Sequence, residues 1–235
     1  MKILFKFPSR GRPDKLRDCL TNIDNKISSK DHLVWLTLDG NDKTLPEVIA
    51  FIGNGKINYQ WDKGISDGKI DAINRDMHFA SAAIEWDILI NMSDDMEWIV
   101  DGFDDIIRKD MPEDLDCLLH YPDGNNKCLV TMSIMGRKYY DRFNYIYHND
   151  YYSLWCDNEQ TVVAQMLGKY KYVDRQIFQH NHPAYGKGQW DVHYRETESY
   201  FHQDEEVFKR RRSANFNLPE EYHLPLFYPN SKQPV

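Results

Sequence analysis

The stretch DILINMSDDMEW, residues 87 to 98, places two carboxylates, Asp94 and Asp95, side by side just after the apolar run Ile88-Leu89-Ile90. Like charges that close repel unless solvent, a cation or a proton relieves them. Hard divalent cations take oxygen ligands, and Mg²⁺ typically uses one or two carboxylates together with substrate phosphates. A metal-borne diphosphate is therefore one chemistry open to this doublet; a solvated turn capping a segment that begins at Glu97 is the other. Asp104-Asp105 forms a similar pair, but it precedes Ile106-Ile107 at amphipathic spacing and reads as a solvated face.

Five more constellations carry chemistry. Ser9-Arg10-Gly11-Arg12 follows an apolar strand and precedes Pro13 at a helix start, a turn in which backbone N–H groups and the Arg10 and Arg12 guanidinium forks can hold phosphate. Asp39 ends a second apolar strand and can accept hydrogen bonds from a base or ribose, or serve only the Asp39-Gly40 turn. Lys69, Asp71, Asn74 and Arg75 are the polar members of a helical segment; Asn74 and Arg75 can face a ligand, with solvent the expected place for Arg75. Asp157 and Glu159 follow Trp155 near a helix start, where one can take a proton from an attacking hydroxyl; Asp157 can equally be an N-cap. His180 and His182 alternate on a strand and so point the same way, placed to complete a metal shell or orient a phosphate.

These groups need elements to position them. KILFKFP, HLVWLTLDGND, KINYQW and DILINM read as strands, and Leu16, Cys19, Leu20 and Ile23 trace a helical face between the first two. Ile70, Ile73, Met77, Ala80 and Ile84 trace one face of a single helix over DGKIDAINRDMHFASAAI. Strands separated by helices predict βαβ units and a mostly parallel sheet, whose ligands bind beyond the carboxyl ends of the strands. The polar clusters sit at those ends in three places. In the second half, DCLLHYP and CLVTMSIMGRKYY read as strands, the latter leading into a helix, and a Tyr- and Asn-rich stretch over 139–152 reads as a loop over the site. WCDNEQTVVAQMLGKY is a helix with Asp157 and Gln160 spaced as a capping box and Gly168 as its stop. KYKYVDRQIFQHNHP is predicted as one final strand, and LPLFYPNSKQP, with three prolines, as an extended tail.

The 235 residues, 41% of them hydrophobic and 14% aromatic, supply a sizeable core for one large domain, which excludes global disorder. The net charge of −8 gives no support to a broadly basic nucleic-acid binder, FKRRRS at 208–213 being the one local candidate. No apolar run approaches the roughly 18 residues of a membrane span, and MKILFKF, interrupted by Lys6, reads as a first strand and not a signal peptide. Cys19, Cys117, Cys128 and Cys156 form no CxxC pair, so reduced thiols and a cytoplasmic location are expected.

In their order along the chain, FPSRGRP, TLDGND, GKIDAINRDM, NMSDDM and WCDNEQTVVAQMLGKYKYVDRQIFQHNHP resemble the GT-A nucleotide-sugar glycosyltransferases, in a branch frequent among phage and bacterial sequences; together they span roughly residues 2 to 185. The resemblance implies a Rossmann-like α/β domain over 1–185, with a nucleotide half to about residue 96, an acceptor half beyond it, and a C-terminal helix and extended tail over 186–235 packing on the body. It implies that Pro8, Ser9, Arg10, Arg12 and Asp39, with Lys69 and Asn74, line the nucleotide pocket. Ser93-Asp94-Asp95 would stand for the family's DxD signature, with Ser93 in place of its first aspartate. Asp95 would then bind Mn²⁺ or Mg²⁺, and Asp94 ribose or metal. Asp157, ahead of Glu159, would be the acceptor-activating base, and His182, ahead of His180, the late histidine that binds metal or diphosphate. The implied reaction moves a sugar from a nucleoside diphosphate to a hydroxyl of a glycan, or of a hydroxymethylated DNA base touched by the KRRR run at 209–212. A sugar-phosphate nucleotidyltransferase and a non-catalytic nucleotide-binding module of the same fold are the competing readings.

Overall fold

A computed structural model describes residues 1–52 and 59–222. In chain order its elements are β1 (Ile3–Ser9), α1 (Pro13–Lys26), β2 (His32–Asp39), α2 (Leu45–Ile52), β3 (Tyr59–Gly64), α3 (Lys69–Asn74), α4 (Met77–Ala83), β4 (Ile88–Asn91), β5 (Met96–Trp98) and α5 (Phe103–Asp110). The second half adds β6 (Leu118–His120), β7 (Ile134–Gly136), α6 (Arg137–Asp141), α7 (Cys156–Met166), β8 (Tyr170–Tyr172), β9 (Phe178–His180), α8 (Val192–Ser199) and α9 (Phe201–Ser213).

Seven strands form one sheet in the order β3-β2-β1-β4-β7-β6-β8, in which β7 alone runs against the others; β5 and β9 form a separate antiparallel pair. The expectation of a mixed, mostly parallel α/β sheet flanked by helices holds. Alternation along each strand divides the core. Ile3, Phe5 and Phe7 of β1, with Val34, Leu36 and Leu38 of β2, face α1, α2 and α5. Leu4, Leu33, Trp35 and Leu89 face the side of α3, α4, α7 and α9.

Several elements differ from the sequence-based expectation. The single helix over 67–84 is two short ones, broken where Arg75 is extended (ψ 147°) and Asp76 is left-handed (φ 68°). The break lets Arg75 turn back to the end of β2, where it donates to the Leu38 carbonyl at 2.9 Å. KYKYVDRQIFQHNHP is two strands in two sheets, because β8 pairs with β6 while β9 pairs with β5. The strand of CLVTMSIMGRKYY is shorter than expected, Ile134–Gly136 alone, while the helix it was expected to lead into does follow, at Arg137–Asp141. Glu97 lies in strand β5 and starts no helix. Part of KINYQW, residues 56–58, lies outside the described residues, as does the tail beyond Tyr222. Gly168 ends α7 as expected, at φ +65° one residue past the Leu167 C-cap.

Lys6 sits where alternation along β1 calls for an apolar side chain. It is fully buried, and its ammonium donates to the Thr37 hydroxyl and to the Ala72 carbonyl at 3.2 Å, tying β1, β2 and α3 together. Burial pulls its pKa down to about 7, against the opposing charge of Asp76. An unfolded lysine titrates near its ordinary 10.5, so between these values the unfolded chain holds the proton more tightly, and this residue's contribution to stability rises with pH. Urea unfolding of wild type and Lys6→Met at pH 7 and pH 9.5 is expected to show the wild type gaining about 2–3 kcal/mol relative to the variant. A pH-independent difference would place the lysine outside this linkage.

Candidate active site

β1 delivers Pro8 and Ser9 to the carboxyl edge of the sheet, and the chain then turns through Arg10-Gly11-Arg12 into α1. Gly11 takes φ +70°, and its N–H donates to Asp42 Oδ2 at 2.7 Å, which fixes the turn. Asp39, buried at the end of β2, lies between two arginines, with Arg10 Nη1 at 3.3 Å and Arg75 Nη1 at 3.4 Å. Arg75, expected in solvent, is thus part of the site, and it also donates to Ser66 Oγ at 2.7 Å. Arg12, the residue before α1, reaches Asp94 Oδ1 at 2.8 Å and Asp191 Oδ1 at 3.0 Å.

The carboxylate doublet sits in a tight turn after β4, closed by the Met96 N–H on the Ser93 carbonyl. Both side chains are nearly buried, at 9% exposure for Asp94 and 6% for Asp95. Burial raises the pKa of Asp94, with the Arg12 charge opposing. Burial also works against the Asp95 anion, but hydrogen bonds and charge from His180, followed by a hydrogen bond from Ser93, hold its pKa well below the usual carboxylate range. His180 lies between two acids, its Nε2 3.4 Å from Asp95 Oδ2 and its Nδ1 3.4 Å from Asp123 Oδ2. Burial disfavours its charged form, yet these two partners raise its pKa to about 9. The repulsion of the doublet is therefore relieved within the chain: Arg12 neutralises Asp94 and an imidazolium neutralises Asp95.

The Tyr194 hydroxyl donates to Asp95 Oδ2 at 3.0 Å, while Asp95 Oδ1 is buried and has no hydrogen-bond partner. Among the described residues, no three His, Cys, Asp or Glu side chains gather as a metal cage. The free oxygen suits an ion that draws most of its ligands from phosphate and water. Both ring nitrogens of His180 face carboxylates, Nε2 towards Asp95 and Nδ1 towards Asp123. His182 lies 5.4 Å from it, ring to ring, and burial, followed by the His180 charge, lowers its pKa to about 4. Its Nδ1 accepts the Ala184 N–H at 3.2 Å, so the neutral ring carries its proton on Nε2. This tautomer donates to an anion, which suits the phosphate-orienting role better than the expected metal ligation.

α7 brings Asp157 to the same region. The residue before this helix is Trp155 (φ 61°), and Gln160 donates to the Ile146 carbonyl at 2.7 Å, so the expected capping box does not form and Asp157 falls inside the first turn. Its side chain is half-buried; burial raises its pKa, with the Lys69 charge opposing. Lys69, exposed on the first turn of α3, acts electrostatically on Asp95, Asp157 and His182 alike.

Two expected site residues lie elsewhere. Asn74 latches α3 to the Tyr-rich loop: its Nδ2 donates to the Tyr147 carbonyl at 2.6 Å and its Oδ1 accepts the Ile146 N–H at 2.8 Å. Glu159 is buried in a bidentate pair with Arg211 (2.7 and 2.8 Å) and accepts the Tyr151 hydroxyl at 2.7 Å, which leaves no oxygen for a substrate. Sequence reasoning missed Lys15, Asp123, Asp191 and Tyr194. An Asp three residues before Tyr194 is a helix-start signal, and α8 does begin there, but nothing local marks these residues as members of the cluster around Arg12, Asp95 and His180.

No protein-family model and no curated protein matches the sequence. Solved structures do. A mannosyltransferase from Pyrobaculum calidifontis, in complex with GDP-Man and Mn²⁺, superposes with a TM-score of 0.59 at 11% identity, over 74% of this chain and 55% of that one. TarS 1–349 of S. aureus gives a TM-score of 0.59 at 15% identity, over 78% and 61% of the two chains. The same protein in complex with UDP gives 0.57 at 13% identity, over 94% and 76%. The chain thus spans little more than half the length of the first two structures. At these identities the likeness establishes the fold, the one GT-A glycosyltransferases share, and leaves chemistry to the site.

Arg211→Ala is expected to leave Glu159 buried without its cation and to destabilise the chain by about 3–5 kcal/mol in urea unfolding, as breaking a buried pair does. A loss below about 1 kcal/mol would return Glu159 to the list of free carboxylates.

Proposed function

We propose that this chain, whose fold is that of the GT-A glycosyltransferases, transfers a sugar from a nucleoside-diphosphate sugar to a saccharide hydroxyl with the help of a divalent metal. One observation carries the reading. The carboxyl ends of β1, β2 and β4 bring the Arg10–Asp39–Arg75 cluster and the Arg12–Asp94–Asp95–His180 cluster to the same edge of the sheet, with Asp157 and Lys69 electrostatically coupled to the second. Pro8, Ser9, Arg10, Asp39 and Arg75 suit a base and ribose. Arg12, Lys15 and the Nε2–H of His182, next to the start of α1, suit a diphosphate. TarS 1–349 is also known in complex with UDP-GlcNAc, and the P. calidifontis enzyme with GDP-Man and Mn²⁺, which supports a donor of this class and a metal partner.

Asp95 would hold Mn²⁺ or Mg²⁺ through its unpartnered Oδ1. A bound ion supplies Lewis-acid stabilisation of charge on the leaving diphosphate. The remaining work falls to the chain. Arg12 and Lys15 orient the diphosphate, and Ser93 and His180 keep Asp95 ionised. Asp157 accepts the proton of the acceptor hydroxyl as its oxygen bonds to the anomeric carbon and the bond from that carbon to the diphosphate oxygen breaks, an inverting displacement. The upward pull of burial on Asp157 strengthens it as a base.

The surroundings favour a saccharide acceptor over DNA. The basic run on α9 is engaged by acids: Lys209 with Glu206 (2.8 Å), Arg210 with Asp150 (2.8 Å) and Arg211 with Glu159 (2.7 Å). Near Lys69, the carbonyl of Tyr152 receives the Ile70 N–H at 3.4 Å, and the exposed Tyr152 ring stacks on Tyr200 with centroids 5.0 Å apart. Such a stacked pair presents the flat aromatic face on which sugar rings pack.

A thermal-shift screen of nucleoside diphosphates and their sugars, with and without Mn²⁺, tests the donor site. One base is expected to stabilise the protein only with metal present, and Asp95→Asn to lose that shift while unfolding at a similar temperature. Absence of any shift in the wild type would overturn the reading. Asp157→Asn is expected to bind the donor normally and to transfer sugar about a hundredfold more slowly or worse. Full transfer by that variant would remove Asp157 as the base. Pyrophosphate release from a sugar phosphate and a nucleoside triphosphate would indicate a nucleotidyltransferase instead.

A further inference from the structure

We propose that helix α8 is a built-in competitor of the donor: Asp191 stands in for the diphosphate on Arg12 and Lys15, Tyr194 occupies Asp95, and donor binding displaces the helix. The inference rests on the donor-site reading above.

Asp191 sits on both cations next to the start of α1. Its Oδ1 lies 3.0 Å from Arg12 Nη2 and its Oδ2 3.7 Å from Lys15 Nζ. Three residues on, the Tyr194 ring packs under the same cations, with Arg12 at 4.2 Å and Lys15 at 4.8 Å from its centroid, while its hydroxyl bonds Asp95 Oδ2 at 3.0 Å. The His182 ring stands nearly perpendicular to the same ring, with centroids 4.8 Å apart. One turn of helix thus engages Arg12, Lys15, Asp95 and His182, the groups a metal-borne diphosphate would need.

The first turn of α8 is held by the site itself, while its end runs into α9 and the Tyr152–Tyr200 stack. Tyr194 is the one buried residue of α8; Val192 is 76% exposed, and Trp190 just ahead of the helix is 47% exposed. The next contact is again with the donor turn: a Cβ on Gly11 would lie 2.4 Å from His193 Nε2, so only glycine lets the helix approach so closely. Gly186 (φ +72°) and Gly188 (φ +83°) precede the helix, giving the connection turns that other residues rarely adopt. A single carboxylate is a weaker partner for two cations than a diphosphate, which carries more charge and more acceptor oxygens. The helix is therefore placed to exclude small anions and to yield to the full donor.

Asp191 also caps α8 through the Tyr194 N–H at 2.9 Å. Asp191→Asn keeps a good cap while removing the charge, and Tyr194→Phe keeps the ring while removing the hydroxyl. Calorimetric titration of the full chain with UDP, GDP, CDP, ADP and dTDP in the presence of Mn²⁺ is expected to show the nucleotide that binds the wild type binding each variant about three- to tenfold more tightly. Hydrogen exchange across residues 189–199 of the wild type is expected to quicken when that nucleotide is added. Equal or weaker binding by Asp191→Asn overturns the proposal, as does slower exchange on nucleotide addition, which would make α8 a clamp that closes over the donor. If no nucleotide binds any of the three proteins, the donor-site reading falls and the competitor with it.

Discussion

The structure turns on the compensation of two adjacent buried carboxylates. Asp94 and Asp95 can both sit at the end of β4 only because a guanidinium from the first turn of the chain and an imidazolium from β9 face them. That requirement explains features that would otherwise be separate. The small β5–β9 sheet sets Met96 against His180, and the Asn181 N–H binds the Asp95 carbonyl at 2.7 Å, so the backbone that carries the cation is anchored to the turn that carries the anions. Asp123, buried and fixed by the N–H groups of Asn125 and Asn126, holds the other side of the imidazole. A buried charge without a partner is strongly destabilising, so each of these contacts also constrains the positions of the others.

The rest of the molecule supplies two rigid supports for this centre. On one side the parallel strands β1 to β4 bring the Arg10–Asp39–Arg75 cluster to the same edge of the sheet, and the break between α3 and α4 is what lets Arg75 reach back. On the other, α7 is fastened by Glu159 to α9 through Arg211, while Asn74 fastens the Tyr-rich loop to α3. Two residues expected to meet substrate thus fasten the helices that carry Asp157 and Lys69. The division follows helix periodicity: Asp157 and Glu159, two residues apart, lie on different faces of one helix.

Much of this was legible in the chain, and for an identifiable reason. Apolar runs ending abruptly in polar clusters, three times over, mean strand ends in a parallel sheet, and such ends share one edge whatever the details of packing. That logic located Arg10, Arg12, Asp39, Asp94 and Asp95 together. It failed where local signals were satisfied in another way: the capping-box spacing at Asp157 and Gln160 was real, but Trp155 takes the position before the helix and Gln160 is used to hold the Ile146 carbonyl. It failed again at 67–84, where the apolar period continues across Asp76 although the left-handed backbone there interrupts the helix.

By itself the sequence determined the strands of the first half of the chain, the acidic doublet at the end of one of them and the pairing of basic turn with helix start, because these depend on residue type and short-range period. Only the tertiary structure decided which cation answers which acid, that His180 is spent on charge balance while His182 keeps a free N–H, and that Tyr194 reaches Asp95 from 99 positions away. Such contacts between segments remote in sequence leave no periodic trace in the chain. They follow from where the last helices dock, and docking is set by shape and charge that exist only once the sheet has formed.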